Sequence, residues 1–227
     1  EDDWDADGSY VSSTTDDGDG DGSFGDGGPV DNWLVNAEVD AEDAYIVGVM
    51  GSEDDDTQGL ILRHSDAENY YVAVVIGSES DVSSSETSPF GLSGDRLAVI
   101  AIESGESTVL SSTSYSRPYS DDMVMVLSID DLVISAKVWD SVSAYEAGDD
   151  SDDSTSAILS SPMGGGSAGF YAYNAGGSSH PTWFGAVEVW RFDGDEDGVV
   201  DDEDNCGGGD GGGDGDGGSW FGGFFDD

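Results

Sequence analysis

The chain has 227 residues, of which 51 are acidic and 5 are basic, so its formal net charge is −46. A charge of this size and sign repels nucleic acid and anionic lipid surfaces, and we expect neither as a partner. It also destabilises a compact fold unless cations bind or screen it, which points to high salt, to calcium, or to both.

The chain begins at Glu1 and contains a single cysteine. No apolar run is long enough to cross a bilayer, so we expect no membrane insertion. An exported protein whose signal peptide has been removed fits these features, and we expect an extracellular or cell-surface location. Because one cysteine cannot build a disulfide framework, stability must come from a packed core and bound metal.

Residues 1–32 form an acidic, glycine-rich segment with few apolar side chains. Three of its carboxylates occupy positions 1, 3 and 5 of a calcium loop, and these belong to Asp17, Asp19 and Asp21. Position 12 is Gly28, so the carboxylate that normally closes such a loop is missing. The segment is interpreted either as a calcium site or as a solvated acidic loop.

Residues 33–190 contain short segments of alternating apolar and polar residues, which is typical of half-buried strands. The predicted strands are 33–39, 44–50, 58–63, 70–76, 96–102, 106–111, 123–129, 132–139, 168–173 and 183–190. Turn-forming clusters lie between them, as at 52–57 and 148–156, and no segment shows helical periodicity. This pattern predicts an all-β domain, a two-sheet antiparallel jelly-roll sandwich.

Three motifs in this region resemble the laminin G-like or concanavalin A-like jelly rolls. They are Gly59–Val72, with a pattern of Gly, Arg, Asp and Asn-Tyr-Tyr, then Ile134–Trp139 after Asp131-Leu132, and finally Gly166–Tyr173 with Trp183–Val189 as a closing strand. The resemblance implies an extracellular binding or structural module, in a family most of whose members are not enzymes.

Catalysis has one formal candidate, since some glucanases with this fold carry a Glu-x-Asp-x-Glu strand. Glu38, Asp40 and Glu42 match that pattern, and paired carboxylates can hydrolyse glycosides. Strand alternation, however, places Val35 and Val39 inward and Glu38 and Asp40 on the opposite face. His64 is interpreted as a turn residue, and no nucleophile elbow is present. We therefore expect no enzymatic activity and no catalytic residues.

Carbohydrate binding is the main alternative function, because sugars stack on exposed aromatic rings and bond to Asn or Asp side chains. In a strand about half of such side chains point into the core, and the sequence does not show which are exposed. The candidates are Tyr70, Tyr71, Tyr115, Tyr119, Tyr173, Asn174, His180 and Trp183.

The segment 193–206, DGDEDGVVDDEDNC, has the ligand spacing of an EF-hand-type calcium loop. Acidic residues fall at positions 1, 3, 5, 9 and 12, with Gly198 at the sharp turn. The predicted ligands are Asp193, Asp195, Asp197, the Val199 carbonyl, Asp201 and Asp204. The alternative is a solvated acidic linker.

The same fourteen residues resemble a thrombospondin type 3 repeat, a family whose repeats bind calcium and pair their cysteines between neighbouring repeats. Here there is one repeat and one cysteine, so Cys206 is free, buried or bonded to another molecule.

Residues 207–227 are a glycine-rich tail that ends in Trp220, Phe221, Phe224 and Phe225. Such dense glycine cannot build a core, yet four exposed aromatic rings are costly in water. The rings are predicted to anchor assembly, or else to fold back on the same domain. The sequence as a whole predicts a secreted, calcium-binding structural subunit that self-assembles into an extracellular filament or surface array; the alternative is a calcium-dependent carbohydrate-binding or adhesion module.

Overall fold

The computed structural model describes residues 4–6, 11–13, 32–41, 43–52, 57–77, 90–92, 94–116, 122–173 and 182–191. Within these ranges the chain forms thirteen strands and one short helix. The strands are β1 (Trp4–Ala6), β2 (Val11–Ser13), β3 (Asn32–Ala41), β4 (Ala44–Ser52), β5 (Thr57–Asp66), β6 (Asn69–Ile76), β7 (Arg96–Glu103), β8 (Glu106–Ser114), β9 (Met123–Asp130), β10 (Val133–Trp139), β11 (Asp153–Ile158), β12 (Gly166–Tyr173) and β13 (Thr182–Arg191). The helix is α1 (Val142–Glu146).

The strands form two antiparallel sheets. The seven-stranded sheet has the order β1-β2-β13-β4-β9-β10-β11, and the six-stranded sheet has the order β3-β12-β5-β6-β7-β8. The two sheets pack face to face around a shared apolar core. The predicted all-β, two-sheet antiparallel jelly-roll sandwich is therefore confirmed.

All ten strands predicted between 33 and 190 are present, and the structure adds elements that the sequence did not indicate. Strand β11 lies partly in the predicted turn cluster at 148–156. It is an edge strand with only one buried side chain, Thr155, so its sequence lacks the apolar alternation of the other strands. Helix α1 has five residues, too few to show a period; the Ser141 side chain caps it by accepting a hydrogen bond from the Ala144 amide at 3.2 Å.

The core between the sheets is built by strict alternation. Met123, Met125, Leu127 and Ile129 of β9 all point inward and are inaccessible to solvent. The two sheets also meet through aromatic side chains, since the rings of Phe170 on β12 and Phe184 on β13 lie 4.6 Å apart between centroids.

The outer face of the six-stranded sheet is also buried, which differs from the half-buried strands that the sequence predicted. Its outer cluster comes from β5, β6, β7, β12 and Phe90: the members are Ile61, Tyr70, Val72, Val74, Ile76, Phe90, Ala98, Ile100, Ile102 and Tyr171. Strands β6 and β7 are apolar at almost every position because both of their faces pack. Val35 packs against this outer cluster rather than into the inter-sheet core, so its predicted inward orientation was wrong.

A buried arginine joins the two sheets at one end of the sandwich. Arg63 has a left-handed φ of 53° and is 2% exposed. Its guanidinium donates to the Met163 carbonyl oxygen at 2.7 Å and to Asp43 Oδ1 at 3.2 Å. Asp43 Oδ1 also accepts a hydrogen bond from the Asp131 amide at 3.0 Å, so three loops are tied together. Arg63 and Asp131, both part of the jelly-roll motifs, therefore have structural roles.

None of the helices that the structure describes has the length and apolar character needed to span a membrane.

Candidate functional site

The predicted metal and assembly residues lie outside the described residues. This applies to Asp193, Asp195, Asp197, Val199, Asp201 and Asp204, to Asp17, Asp19 and Asp21, to Cys206, and to Trp220, Phe221, Phe224 and Phe225. Among the residues that the structure does describe, no group of three or more His, Cys, Asp or Glu side chains is placed to hold a metal ion.

Three of the tyrosines proposed to stack on sugars are core residues. Tyr70 and Tyr71 are each 1% exposed and lie on opposite faces of β6. The Tyr71 hydroxyl accepts a hydrogen bond from the Met163 amide at 3.0 Å. Tyr115 is buried as well, and its hydroxyl donates to Asp140 Oδ1 at 2.7 Å. Of the two possibilities that the sequence left open, exposure or core packing, the structure therefore shows core packing for these three. Tyr70 and Tyr71 are both buried because both faces of β6 are covered. Tyr119, Asn174 and His180 lie outside the described residues.

The polar residues of the β5–β6 hairpin stabilise turns. Asp66 Oδ1 accepts hydrogen bonds from the Glu68 amide and the Asn69 side chain, at 2.8 and 2.9 Å. These bonds, that of Asn69 first, lower the pKa of the Asp66 carboxyl. Asn69 Oδ1 in turn accepts from the Ser104 amide at 3.1 Å, which links this hairpin to the β7–β8 turn.

The structure describes the surroundings of His64 but does not test the glucanase-like pattern. His64 packs beside the Tyr70 ring at a centroid distance of 5.7 Å, and burial lowers the pKa of its imidazole. Glu38 and Asp40 lie on β3, but their side chains, like the whole of Glu42, fall outside what the structure describes.

Half-buried aromatic side chains gather on the outer face of the seven-stranded sheet, which we call the aromatic face. Cross-strand register defines its rows: Trp190 pairs with Tyr45, Glu188 pairs with Val47, and Trp183 pairs with Gly51. On the far side of β4, Val49 pairs with Val124, and Val124 pairs with Trp139. Along β4, from Tyr45 to Gly51, the aromatic face extends about 20 Å, at roughly 3.4 Å per residue.

One end of the aromatic face carries a ring pair beside a carboxylate. The Tyr45 and Trp190 rings lie 6.3 Å apart between centroids with their planes inclined by 16°. Trp190 Nε1 donates to Glu188 Oε2 at 3.2 Å. Glu188 itself is exposed, while both rings are partly accessible. This end therefore offers solvent two nearly parallel aromatic surfaces and a charged acceptor.

Helix α1 adds a third ring to this end. Tyr145 meets Trp139 edge to face at 5.0 Å between centroids, and α1 packs against β9 and β10. Burial raises the pKa of the Tyr45 phenol, and neighbouring Tyr145 and Glu188 raise it further. Burial also raises the pKa of Tyr145, again with a contribution from Glu188. Both hydroxyls therefore stay protonated at neutral pH and can donate hydrogen bonds near the Glu188 carboxylate.

Trp183, at the other end of the aromatic face, is the one sugar-stacking candidate that the structure places there. Its Nε1 donates to Asp122 Oδ1 at 2.7 Å, which fixes the indole. A Cβ at Gly51 would lie 2.3 Å from the Trp183 ring, so glycine is required beneath it. Tyr173 instead packs against the outer cluster of the six-stranded sheet.

Sequence reasoning missed Tyr45, Trp139, Tyr145, Glu188 and Trp190 as members of a site. The sequence held a usable signal for two of them, because Glu188 and Trp190 are two residues apart in one predicted strand and must share a face. Tyr45 and Trp139 come from other strands, and only the strand order β13-β4-β9-β10 brings them to the same surface.

The comparisons with known proteins identify the fold. No protein-family model matches the chain, and no curated protein matches its sequence. Solved structures do match. The exoplasmic/lumenal domain of VIP36, in a Ca²⁺/Man3GlcNAc-bound form, has a TM-score of 0.55 at 9% identity, over 84% of this chain and 81% of that one.

Two further structures give the same result. A legume lectin-like domain from Entamoeba histolytica has a TM-score of 0.54 at 10% identity, over 84% of this chain and 88% of that one. The carbohydrate-binding module CBM66 from Bacillus subtilis has a TM-score of 0.51 at 12% identity, over 72% and 83%. The chain therefore shares the jelly-roll fold of these lectin-like and carbohydrate-binding domains.

Proposed function

We propose that this protein binds carbohydrate through the aromatic face of its seven-stranded sheet. The observation that carries the proposal is the nearly parallel Tyr45–Trp190 pair, partly accessible and standing beside the exposed Glu188 carboxylate. Sugar rings present apolar C–H faces that pack on aromatic rings, while their hydroxyls need hydrogen-bonding groups at the edge. The described part of the aromatic face supplies both.

The length of the aromatic face favours an oligosaccharide over a single sugar. Trp190 and Trp183 occupy opposite ends of the aromatic face, which is about 20 Å long, and Trp139 and Tyr145 lie on the same face. The fold also supports the proposal, since the VIP36 domain was solved with Man3GlcNAc and CBM66 is described as a carbohydrate-binding module. With this role the protein acts as a binding module rather than as an enzyme, at the cell surface or outside the cell.

Loss of either ring of the Tyr45–Trp190 pair should weaken glycan binding. The full chain is first screened on immobilised glycans, and the dissociation constant of the strongest ligand is then measured by calorimetry. We expect Trp190→Ala to weaken binding by about thirtyfold, as for a central aromatic anchor worth about 2 kcal/mol. Tyr45→Ala should act in the same direction.

Tyr173→Ala serves as the matched control. It removes a sugar-stacking candidate of the same chemical class that lies on the other sheet, and its affinity should equal that of the unmodified chain. Equal losses in the Tyr173 and Trp190 variants would place the site elsewhere. Absence of any glycan ligand in the screen would refute the function itself.

A second proposal concerns calcium and assembly. The carboxylate spacing at 193–204 supports a calcium loop, and that loop begins three residues after Trp190 in the sequence. Calcium bound there would offset part of the −46 charge and would permit like-charged copies to approach each other. The aromatic tip of the tail, residues 220–225, supports self-assembly into a filament or surface array.

Calcium should raise the melting temperature more than sodium does at matched ionic strength, because a bound ligand stabilises the native state by about 2.7 kcal/mol at a hundred times its dissociation constant. The difference should vanish when Asp193, Asp195 and Asp204 are all changed to Asn. It should persist when Asp54, Asp55 and Asp56 are changed to Asn, which removes the same charge. Identical melting curves in the two salts would mean that calcium acts by screening charge alone.

Light scattering on the same samples tests assembly, which should need calcium and disappear without residues 207–227.

A further inference from the structure

We infer that the aromatic face selects glycans built from cationic amino sugars, whose amines are free and protonated. The inference rests on the proposed function and names the class of ligand for the same surface. It is carried by the arrangement of aromatic rings around one exposed carboxylate, and by the charge of the residues near it.

The Glu188 carboxylate stands among aromatic rings at the accessible end of the face. Trp190 Nε1 holds one of its oxygens at 3.2 Å, which fixes the carboxylate beside the Tyr45–Trp190 pair. The nearest described cation on the same row is Lys137, which follows Val47 and Val126 across the sheet. Three strand spacings separate Lys137 from Glu188, about 14 Å, so the lysine does not neutralise it.

Aromatic rings and a carboxylate together form a site for an ammonium group. A cation above a Trp or Tyr ring is attracted by the negative face of the π-system, and the attraction strengthens when the site excludes water. The carboxylate adds a charge-assisted hydrogen bond from the amine. An N-acetylated amine carries no charge and would lose both contributions, while the sugar ring would still stack.

The charge of the whole chain acts in the same direction. A net charge of −46 attracts polycations and raises their local concentration at the surface. Glycans that carry carboxylate or sulfate groups are repelled by the same field. At the other end of the face, Trp183 is held by Asp122, a second carboxylate, so an extended cationic chain would meet negative charge at both ends.

The test compares two oligosaccharides that differ only in the amine. Fully deacetylated and fully N-acetylated glucosamine oligomers of matched length are titrated into the full chain, at a pH where the free amines are protonated. We expect the deacetylated oligomer to bind at least about tenfold more tightly, the effect of one charge-assisted hydrogen bond. Glu188→Gln should remove most of this preference, and Glu106→Gln, an exposed carboxylate on the other sheet, should preserve it.

Each outcome separates the inference from the proposed function. Equal or tighter binding of the N-acetylated oligomer would overturn the amino-sugar inference while the carbohydrate function stands. A preference that survives in Glu188→Gln and disappears in high salt would assign it to the net charge, and would overturn the role of this face. If neither oligomer binds and the glycan screen is also empty, the proposed function is wrong as well.

Discussion

Replacing Tyr171 with Ala is expected to lower the free energy of unfolding by about 3–5 kcal/mol, the range seen for large aromatic side chains removed from a core. Tyr171 lies on the outer face of the six-stranded sheet, which in a simple two-sheet sandwich would be exposed to solvent. Here the side chain is inaccessible to solvent and its ring lies 5.6 Å from that of Phe90. Its removal would leave a cavity between β12 and the residues of the outer cluster.

The free energy of unfolding is measured with denaturant in concentrated salt, so that charge repulsion is screened. Two further variants serve as controls. Phe170→Ala removes a neighbouring ring from the inter-sheet core and should cost a similar amount. Ile158→Ala removes a side chain that is 81% exposed and should change stability by no more than about 0.5 kcal/mol. If Tyr171→Ala behaved like Ile158→Ala, the outer cluster would not be a packed layer.

Gly59→Ala should be as damaging as the loss of a core ring, although it adds only one methyl group. Gly59 lies in β5 opposite Val74 of β6. A Cβ at this position would lie 1.9 Å from the Ala73 carbonyl oxygen, a backbone atom in the middle of the sheet. The strands would have to separate, and we expect a loss of about 3 kcal/mol, the upper end of the usual range for overpacking.

The chain offers a close control for this substitution in Gly164. Nothing lies within 4 Å of the Cβ that Gly164→Ala would add. That variant should be neutral, or stabilising by about 0.4–1 kcal/mol through reduced freedom of the unfolded chain. Thermal melting of both proteins decides the matter: equal melting temperatures would show that β5 and β6 are not held at this distance.

The candidate site was only partly predictable. The sequence left open which of the candidate aromatic residues are exposed, and Tyr70, Tyr71 and Tyr115 proved to be core residues. Consecutive residues such as Tyr70 and Tyr71 must point to opposite faces. Because both faces of β6 are covered, both tyrosines are buried. Alternation indicates which residues share a face, but burial depends on what packs over that face.

The sequence alone determined the all-β class of this protein and ten of the thirteen strands that the structure describes. Apolar alternation with glycine, serine and aspartate between segments is a local property, so all ten predicted strands could be located from it. The charge of −46 likewise followed from composition. Strand order and sheet assignment depend on contacts between residues far apart in the chain. Only the tertiary structure could therefore place Tyr45, Trp139, Tyr145 and Trp190 on one surface beside Glu188, because cross-strand pairing, unlike alternation, leaves no period in the sequence.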